Sequence, residues 1–358
     1  MANVFRADHV GPLVKPAALV AAEQAFAAGT ADAVALAAAQ DAAVRQALDL
    51  QKEVVMTVLT DGELRRPDGD APYASALTGL TRVGGAPRTP LRSAHAATGV
   101  IGQRQRLTAV ESRALGAGIA PVCKISVLSP SALAVRYFAP GATSYRSLPE
   151  LAAAFGPVIK AEIDALVGEG IGYIQLVGAA YHALFEGAGR DLLALPGVDS
   201  AGVFDELLAV DAGILKAAVR SPRSTLGLHV PRVEGAAEAG DRYERLAARL
   251  MGALPVDRLL LEYAEPTRHD FESLRALPAG AMATLGLVRT ESDPEGIGEL
   301  IARLEKAAGA VPEERLALSP RRGFRNTPGL TAEEAQSAQR RTLVRASEVV
   351  QQFWGLEV

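Results

Sequence analysis

Ser224-Thr-Leu-Gly-Leu-His-Val-Pro-Arg-Val233 is the stretch on which the fold turns. An apolar run leads into His229, and the chain turns at Pro231. Proline has no backbone N–H to give to a ladder, so the run reads as a buried strand delivering a histidine at its carboxyl end. A (β/α)8 barrel presents its chemistry from that end of its strands. Two later runs repeat the pattern. Arg258-Leu-Leu-Leu-Glu262 closes on a carboxylate, and Leu316-Ala-Leu-Ser-Pro320 closes just before Arg321 and Arg322. A lone histidine after a strand is as well explained by the core. Three successive strands that each finish in a polar group are expected to face one mouth.

Five further apolar runs, at residues 4–7, 57–60, 121–127, 171–176 and 282–288, make eight strand candidates. Helical stretches separate them. Residues 17–55 are helical in composition, broken near Gly29-Thr30, with Val44, Leu48 and Val55 on one face of the second half. Ser147-Leu-Pro-Glu150 has the form of a capping box, followed by a stripe of Leu151, Phe155, Val158, Ile159, Ile163, Leu166 and Val167 that Gly168 and Gly170 stop. Further helices are expected over 104–115, 203–219 and 242–254, with a short one at 271–277. Ser292-Asp-Pro-Glu295 and Thr331-Ala-Glu-Glu334 are two more capping boxes, opening helices to Ala308 and Trp354. This alternation predicts a parallel sheet.

Eight units in 358 residues favour closure into one (β/α)8 TIM barrel, a single domain over 1–358. An open doubly wound sheet is the alternative, but no glycine-rich phosphate turn follows the first strand. Gly168-Glu-Gly-Ile-Gly172 precedes a strand and does not open a helix. Residues 64–98 break the rhythm with Gly, Pro, Arg and Thr. They are too long for a simple connection and are expected to form an insertion after strand 2, a hairpin or lid covering the carboxyl-end mouth.

Composition narrows the function. The net charge is −4 with no basic block, which argues against nucleic acid as a partner. Cys123 is the only cysteine and is expected in the core, so neither an internal disulfide nor a thiolate cluster can form. The first residues carry no apolar signal core, and no run of about 18 apolar residues follows. The expectation is a cytoplasmic protein with a small-molecule substrate and no membrane partner; a homo-oligomer is compatible with these features.

The strand ends together resemble the cobalamin-independent methionine synthase family, specifically its carboxyl-terminal catalytic barrel and short stand-alone relatives. The pieces that carry the resemblance are Phe5-Arg-Ala-Asp-His-Val-Gly11, Thr60-Asp-Gly-Glu63 with Arg65-Arg66, Leu128-Ser-Pro-Ser131, Tyr173-Ile-Gln-Leu176, Leu228-His229, Leu261-Glu-Tyr263, Leu285-Gly-Leu-Val288, and Leu318-Ser-Pro320 with Gly323-Phe324. Each is short, and their shared order spans nearly the whole chain. The wider relatives, barrels like uroporphyrinogen decarboxylase, share the fold without zinc. The resemblance implies methyl- or alkyl-transferase chemistry on a small sulfur-containing or anionic substrate.

Members of that family bind zinc through a His, a Cys two residues on, a Glu from the next strand and a late Cys. Here His229 and Glu262 match the first and third ligands, while the cysteine positions are Pro231 and Arg322. No cofactor and no zinc are therefore expected. The family's acidic pair after Gln-Leu reads Val177-Gly178-Ala179, and its serine in the first turn is Pro12. The expected catalytic residues are His229, Glu262, His9, Asp61 and Glu63. A His–Glu pair supplies acid–base chemistry without a metal. Arg6, Arg65, Arg66, Arg322 and Lys124 are the expected substrate-binding residues, since guanidinium groups clamp anions. Arg322 is further expected to reach Glu262, and Lys124 to neutralise Asp61 or touch substrate. Two other readings stay open: a metal-free lyase or decarboxylase on an anionic molecule, and a catalytically inactive ligand-binding barrel.

Overall fold

The computed structural model describes residues 5–66, 71–84, 89, 91–115, 122–185, 193, 195, 200–232, 242–263, 271–290, 293–324 and 330–355. Seven of the eight expected strands form one parallel sheet. They are β1 (Val58–Leu59), β4 (Val122–Leu128), β5 (Tyr173–Val177), β6 (Thr225–Val230), β7 (Arg258–Glu262), β8 (Met282–Val288) and β9 (Leu316–Pro320), in that spatial order. Strands β6, β7, β8 and β9 are buried at nearly every position, as expected for a parallel sheet covered on its faces.

The closed eight-stranded barrel does not form. The expected first strand contributes a single bridge, Ala7 to Leu318, and Val4 lies outside the described residues. Beside β9, Asp8 N–H donates to Leu318 O and Leu318 N–H to Arg6 O. Beside β1 there is one backbone bond, Thr57 N–H to Ala7 O at 3.3 Å, and a side chain adds to it. The Thr57 hydroxyl accepts from Ala7 N–H and donates to Ala7 O, at 3.0 and 2.8 Å. A hydroxyl that takes both groups of one residue holds the chain in place without propagating a strand. The result is an open seven-stranded sheet with a bridged segment beside its edge.

Helices α1 (Ala17–Ala27) and α2 (Ala33–Glu53) are split at Gly29, whose φ of 71° ends the first, and Asp32 caps the second by accepting from Ala35 N–H. Val44 and Leu48 are buried as the spacing predicts, while Val55 is half-buried beyond the helix end. The sheet is further covered by α4 (Ala109–Leu115), α5 (Pro130–Tyr137), α6 (Leu148–Gly168), α7 (Tyr181–Leu184) and α8 (Ser200–Ala217). They are followed by α9 (Arg242–Met251), a 3-10 turn over Glu272–Ala276, α10 (Ile297–Ala308) and α11 (Ala332–Trp354).

Of the three capping boxes, only Thr331–Glu334 is complete. Ser147 caps α6, but the Glu150 carboxylate accepts from Arg146 N–H, one residue early. Ser292 lies outside the described residues, and α10 starts after Gly296 without a side-chain cap. Glu295 is drawn off by Arg321 and the Arg289 amide.

Within the 64–98 insertion, α3 (Ala71–Ala76) leads into an antiparallel pair, β2 (Leu77–Arg82) and β3 (His95–Gln103), the latter running past the expected limit. Gly79 is the bulge of the pair. Its φ is +78°, and a Cβ there would meet Val100 O at 2.5 Å. The hairpin docks on the α5–α6 side: Ser93 N–H donates to Arg136 O, Ser144 N–H to Ala97 O, and Gln103 to the buried Glu162. Helix α5 had no expectation in the sequence; its Ser129 cap and Pro130 at the first turn were its local signals.

Candidate functional site

His229 and Glu262 meet. They come from adjacent strands at the carboxyl edge, 94% and 96% buried, with His229 Nε2 3.2 Å from Glu262 Oε1. Arg232 holds Glu262 by both its side chain and its backbone. Arg232 N–H donates to Glu262 Oε2 at 2.9 Å, and Arg232 Nε donates to the Glu262 carbonyl at 2.8 Å. Tyr243 on α9 joins the two strand ends, since its hydroxyl donates to Val230 O and accepts from Glu262 N–H. The Arg232 guanidinium lies over the Tyr243 ring at 4.1 Å. Burial, reinforced by the Glu262 charge, raises the Tyr243 pKa and keeps the phenol protonated. Both Glu262 oxygens are thus occupied from β6 and the turn after it. Among the described residues Glu262 forms no ion pair with Arg322, which is half-buried beyond β9. Arg232 was missed by sequence reasoning; its signal was an arginine placed directly after the proline that ends β6.

A second group lies at the ends of the bridged segment and β1. His9, Gly11, Thr60, Asp61, Glu63, Lys124, Ser126 and Gln175 line one small cavity with room for about one water molecule. The Asp61 carboxylate accepts from Glu63 N–H at 3.0 Å across a tight turn. Both following residues are left-handed, Gly62 at φ 70° and Glu63 at φ 55°. A non-glycine residue held there stores strain, a feature of sites whose side chains must point one way. Glu63 in turn accepts from the Ser126 hydroxyl at 2.8 Å. Burial pushes the Asp61 carboxyl up to about 6, with the Glu111 charge adding and Arg66 opposing. Burial, with the Lys124 charge, pulls His9 down to about 4.

The remaining expected residues have other partners. Arg66 is tied to Glu111 at 3.0 Å, to Glu63 at 3.5 Å and to Ser126 of β4. Burial works against its charge, but these carboxylates outweigh it and the guanidinium is held charged. Arg65 turns outward to Asp41 on α2. Arg6 lies at the opposite, amino end of β9, bonded to the carbonyls of Glu313, Glu314 and Leu316 and set 5.0 Å from the Trp354 ring.

Lys124 pairs with Asp8 at 2.6 Å and not with Asp61. Tyr173 and Arg258 complete this buried network beneath the cavity, at 3.3 and 3.7 Å from Asp8 Oδ2. Burial alone would raise the Asp8 carboxyl, yet Lys124 and Arg258 hold it below the usual range. Cys123 is buried in the core, its thiol pushed up to about 11 by burial.

Among the described residues no group of three or more His, Cys, Asp and Glu is placed to hold a metal ion, and no helix is long and apolar enough to cross a membrane. A wider groove between α2 and α11, floored by Leu13, Ala43, Ala47 and Leu64, contains none of the candidate catalytic residues.

No family model matches the chain. It is 28% identical over 362 residues to the uncharacterized protein YxjH of Bacillus subtilis, covering 95% of this chain and 93% of that one. A solved structure of a provisionally assigned vitamin-B12-independent methionine synthase from Listeria monocytogenes superposes with a TM-score of 0.76 at 23% identity, over 99% of this chain and 100% of that one. A B12-independent methionine synthase from Shewanella sp. W3-18-1, solved with selenomethionine, gives 0.74 at 18% identity, over 99% and 100%. The chain therefore has the fold of these structures along its whole length.

Proposed function

We propose that the chain is an enzyme of methyl- or alkyl-transferase type. It acts at the carboxyl ends of β6 and β7 on a small substrate that contains sulfur or is anionic. The observation that carries this reading is the buried His229–Glu262 pair on adjacent strand ends. A carboxylate on one ring nitrogen orients an imidazole and stabilises its protonated form, leaving the other nitrogen to take a proton. In this chemistry an acceptor X–H gives its proton to His229 Nδ1. The freed lone pair forms the new bond to the methyl carbon, and the leaving group departs with the electrons of the old one. Full-length similarity to two methionine synthase structures supports the reaction class.

The family that the sequence resembles implies zinc here, and the residues fit it poorly. Pro231 offers no donor, Arg322 brings a positive charge, and His229 Nε2 and Glu262 Oε1 are bonded to each other. No step is assigned to a metal. We read the described part of the insertion, residues 71–84 and 91–98, as a hairpin beside the strand ends, supported by Tyr73, whose hydroxyl accepts from Leu128 N–H at the carboxyl end of β4. The reaction is placed in the cytoplasm.

The test is methylation of a panel of thiols from a panel of methyl donors by the purified protein. His229→Ala and Glu262→Gln should each cut turnover by about 100-fold or more while leaving the fold intact. Full activity in both variants would overturn the assignment. A second reading, a metal-free lyase or decarboxylase, is favoured by Asp61, a buried carboxyl poised to exchange a proton near neutral pH. Consumption of an anionic substrate without group transfer would select it.

A further inference from the structure

The cavity beside Asp61 has walls whose hydrogen-bonding roles can be worked out. Gln51 on α2 is fully buried and makes four contacts. Its Nε2 donates to two carbonyls, Ala47 O at 2.8 Å and Thr60 O at 2.9 Å. Carbonyls only accept, so the amide nitrogen must be the end that faces them. The Gln51 oxygen is then fixed on the other side, where it accepts from Thr60 N–H at 2.8 Å and meets His9 Nε2 at 2.9 Å. An amide oxygen cannot donate, so His9 Nε2 must carry its proton. Burial keeps the ring neutral, as does the positive charge of Lys124. A neutral imidazole protonated on Nε2 has a bare lone pair on Nδ1.

That lone pair is fully buried and has no partner among the described residues. Two more buried atoms share this condition, Asp61 Oδ2 and Gln175 Oε1, on residues at least 96% buried that line the same cavity. With Asp61 ionised and the Gln175 amide oxygen placed as it stands, all three are acceptors, on residues from three separate segments that line one cavity. Buried polar atoms are seldom left unsatisfied, and each costs stability when it is. Three unsatisfied acceptors in one cavity are complementary to a group rich in polar hydrogens.

We propose that Gln51 is a positioning residue that locks His9 as its Nε2–H tautomer, so that His9 Nδ1, Asp61 Oδ2 and Gln175 Oε1 form an acceptor-only subsite for a substrate group carrying several polar hydrogens. The proposal deepens the transferase reading and rests on it in taking the strand carboxyl ends as the substrate site. It gives the substrate a second recognition point, apart from the His229–Glu262 pair.

The test needs no turnover, so its failure is distinguishable from failure of the transferase assignment. Nitrogen-15 NMR of the full chain, with His9 assigned through His9→Gln, should show the neutral Nε2–H tautomer between pH 5 and 8. A proton on Nδ1 would overturn the proposal. Gln51→Leu should release the preference, while Gln51→Glu, which keeps an acceptor toward His9, should restore it. An unchanged tautomer in Gln51→Leu would show that Gln51 does not position the ring. If Gln51→Leu fails to fold, the wild type and Gln51→Glu spectra still decide.

For the subsite, ammonium chloride, whose cation is the size of a water molecule, and tetramethylammonium chloride are titrated at equal ionic strength at pH 8, where Asp61 is ionised. Only the first, which has four N–H donors, should shift the His9 and Gln175 signals, with Asp61→Asn weakening binding about 10-fold or more. Equal responses to the two salts, or none to either, would overturn the subsite.

Discussion

Asp61 and His9 lean in opposite directions at one cavity, and stability against pH should expose both. The folded-state pKa of Asp61, about 6, lies above its ordinary value. The folded state therefore holds the extra proton, and this contribution is full below about pH 4 and lost as the pH rises through 6. His9 is depressed to about 4, so its contribution is full above about pH 6.5 and lost as the pH falls through 4. The two nearly cancel between pH 4 and 6. In Asp61→Asn the balance is broken: relative to wild type, the variant should gain about 3 kcal/mol between pH 4 and 7. Urea unfolding across that range measures it, and parallel curves would show that Asp61 titrates normally. Lys124 offers a second test at the same scale. Its ammonium is buried against Asp8, so Lys124→Met should cost about 3–5 kcal/mol by leaving a buried carboxylate short of a partner. A loss below about 1 kcal/mol in chemical unfolding would mean that Arg258 alone suffices.

Among the elements, the β2–β3 hairpin is held by its docking on α5 and α6 and by one bulge. A two-stranded hairpin has little stability of its own. Gly79 supplies the positive φ of the bulge, and a methyl group there would run into the backbone of β3. Gly79→Ala should cost about 1–3 kcal/mol locally. Hydrogen exchange is the measurement: hairpin amides should speed up by about 10-fold or more while β6 and β7 amides stay protected. Uniform acceleration would mean that the hairpin unfolds only with the whole sheet. The same dependence on neighbours explains α10, where Glu295 sits in capping-box spacing but is claimed by Arg289 and Arg321. Long-range charge outweighed a local capping bond.

The whole molecule is an open parallel sheet whose edge segment is held by backbone bonds to β9 and Thr57 and by one side-chain hydroxyl. Thr57 ties Ala7 to β1 through a hydroxyl that bonds both backbone groups. Thr57→Val keeps the shape and removes those bonds; Ala7 O keeps the Thr57 N–H, and Ala7 N–H is left short of a partner at about 1–3 kcal/mol. The loss should be confined to exchange at Ala7 and its neighbours, and a wild-type exchange pattern there would show that the β9 bridge alone holds the segment. This segment delivers His9 to the cavity, so its attachment links the open edge of the sheet to the site.

The sequence by itself determined the seven strands, most helices and the meeting of His229 with Glu262. Alternating apolar runs specify a parallel sheet, and residues at the ends of adjacent parallel strands become neighbours whatever lies between them. Local pattern also settled the helix start at Thr331 and the break at Gly29. Tertiary structure decided what local pattern could not. The strand expected at residues 4–7 was reduced to one bridge, and Thr57, fifty residues away, holds Ala7 with its side chain as well as its backbone N–H. Arg6, Arg65 and Lys124 read as substrate cations, but a charge goes to the nearest carboxylate or carbonyl in space, and sequence spacing does not encode that distance. Gln51, in the last turn of a helix, carried no signal at all. Its role appears only where α2 packs against Thr60 and His9, because the identity of a hydrogen-bond acceptor is fixed by the partners that surround it.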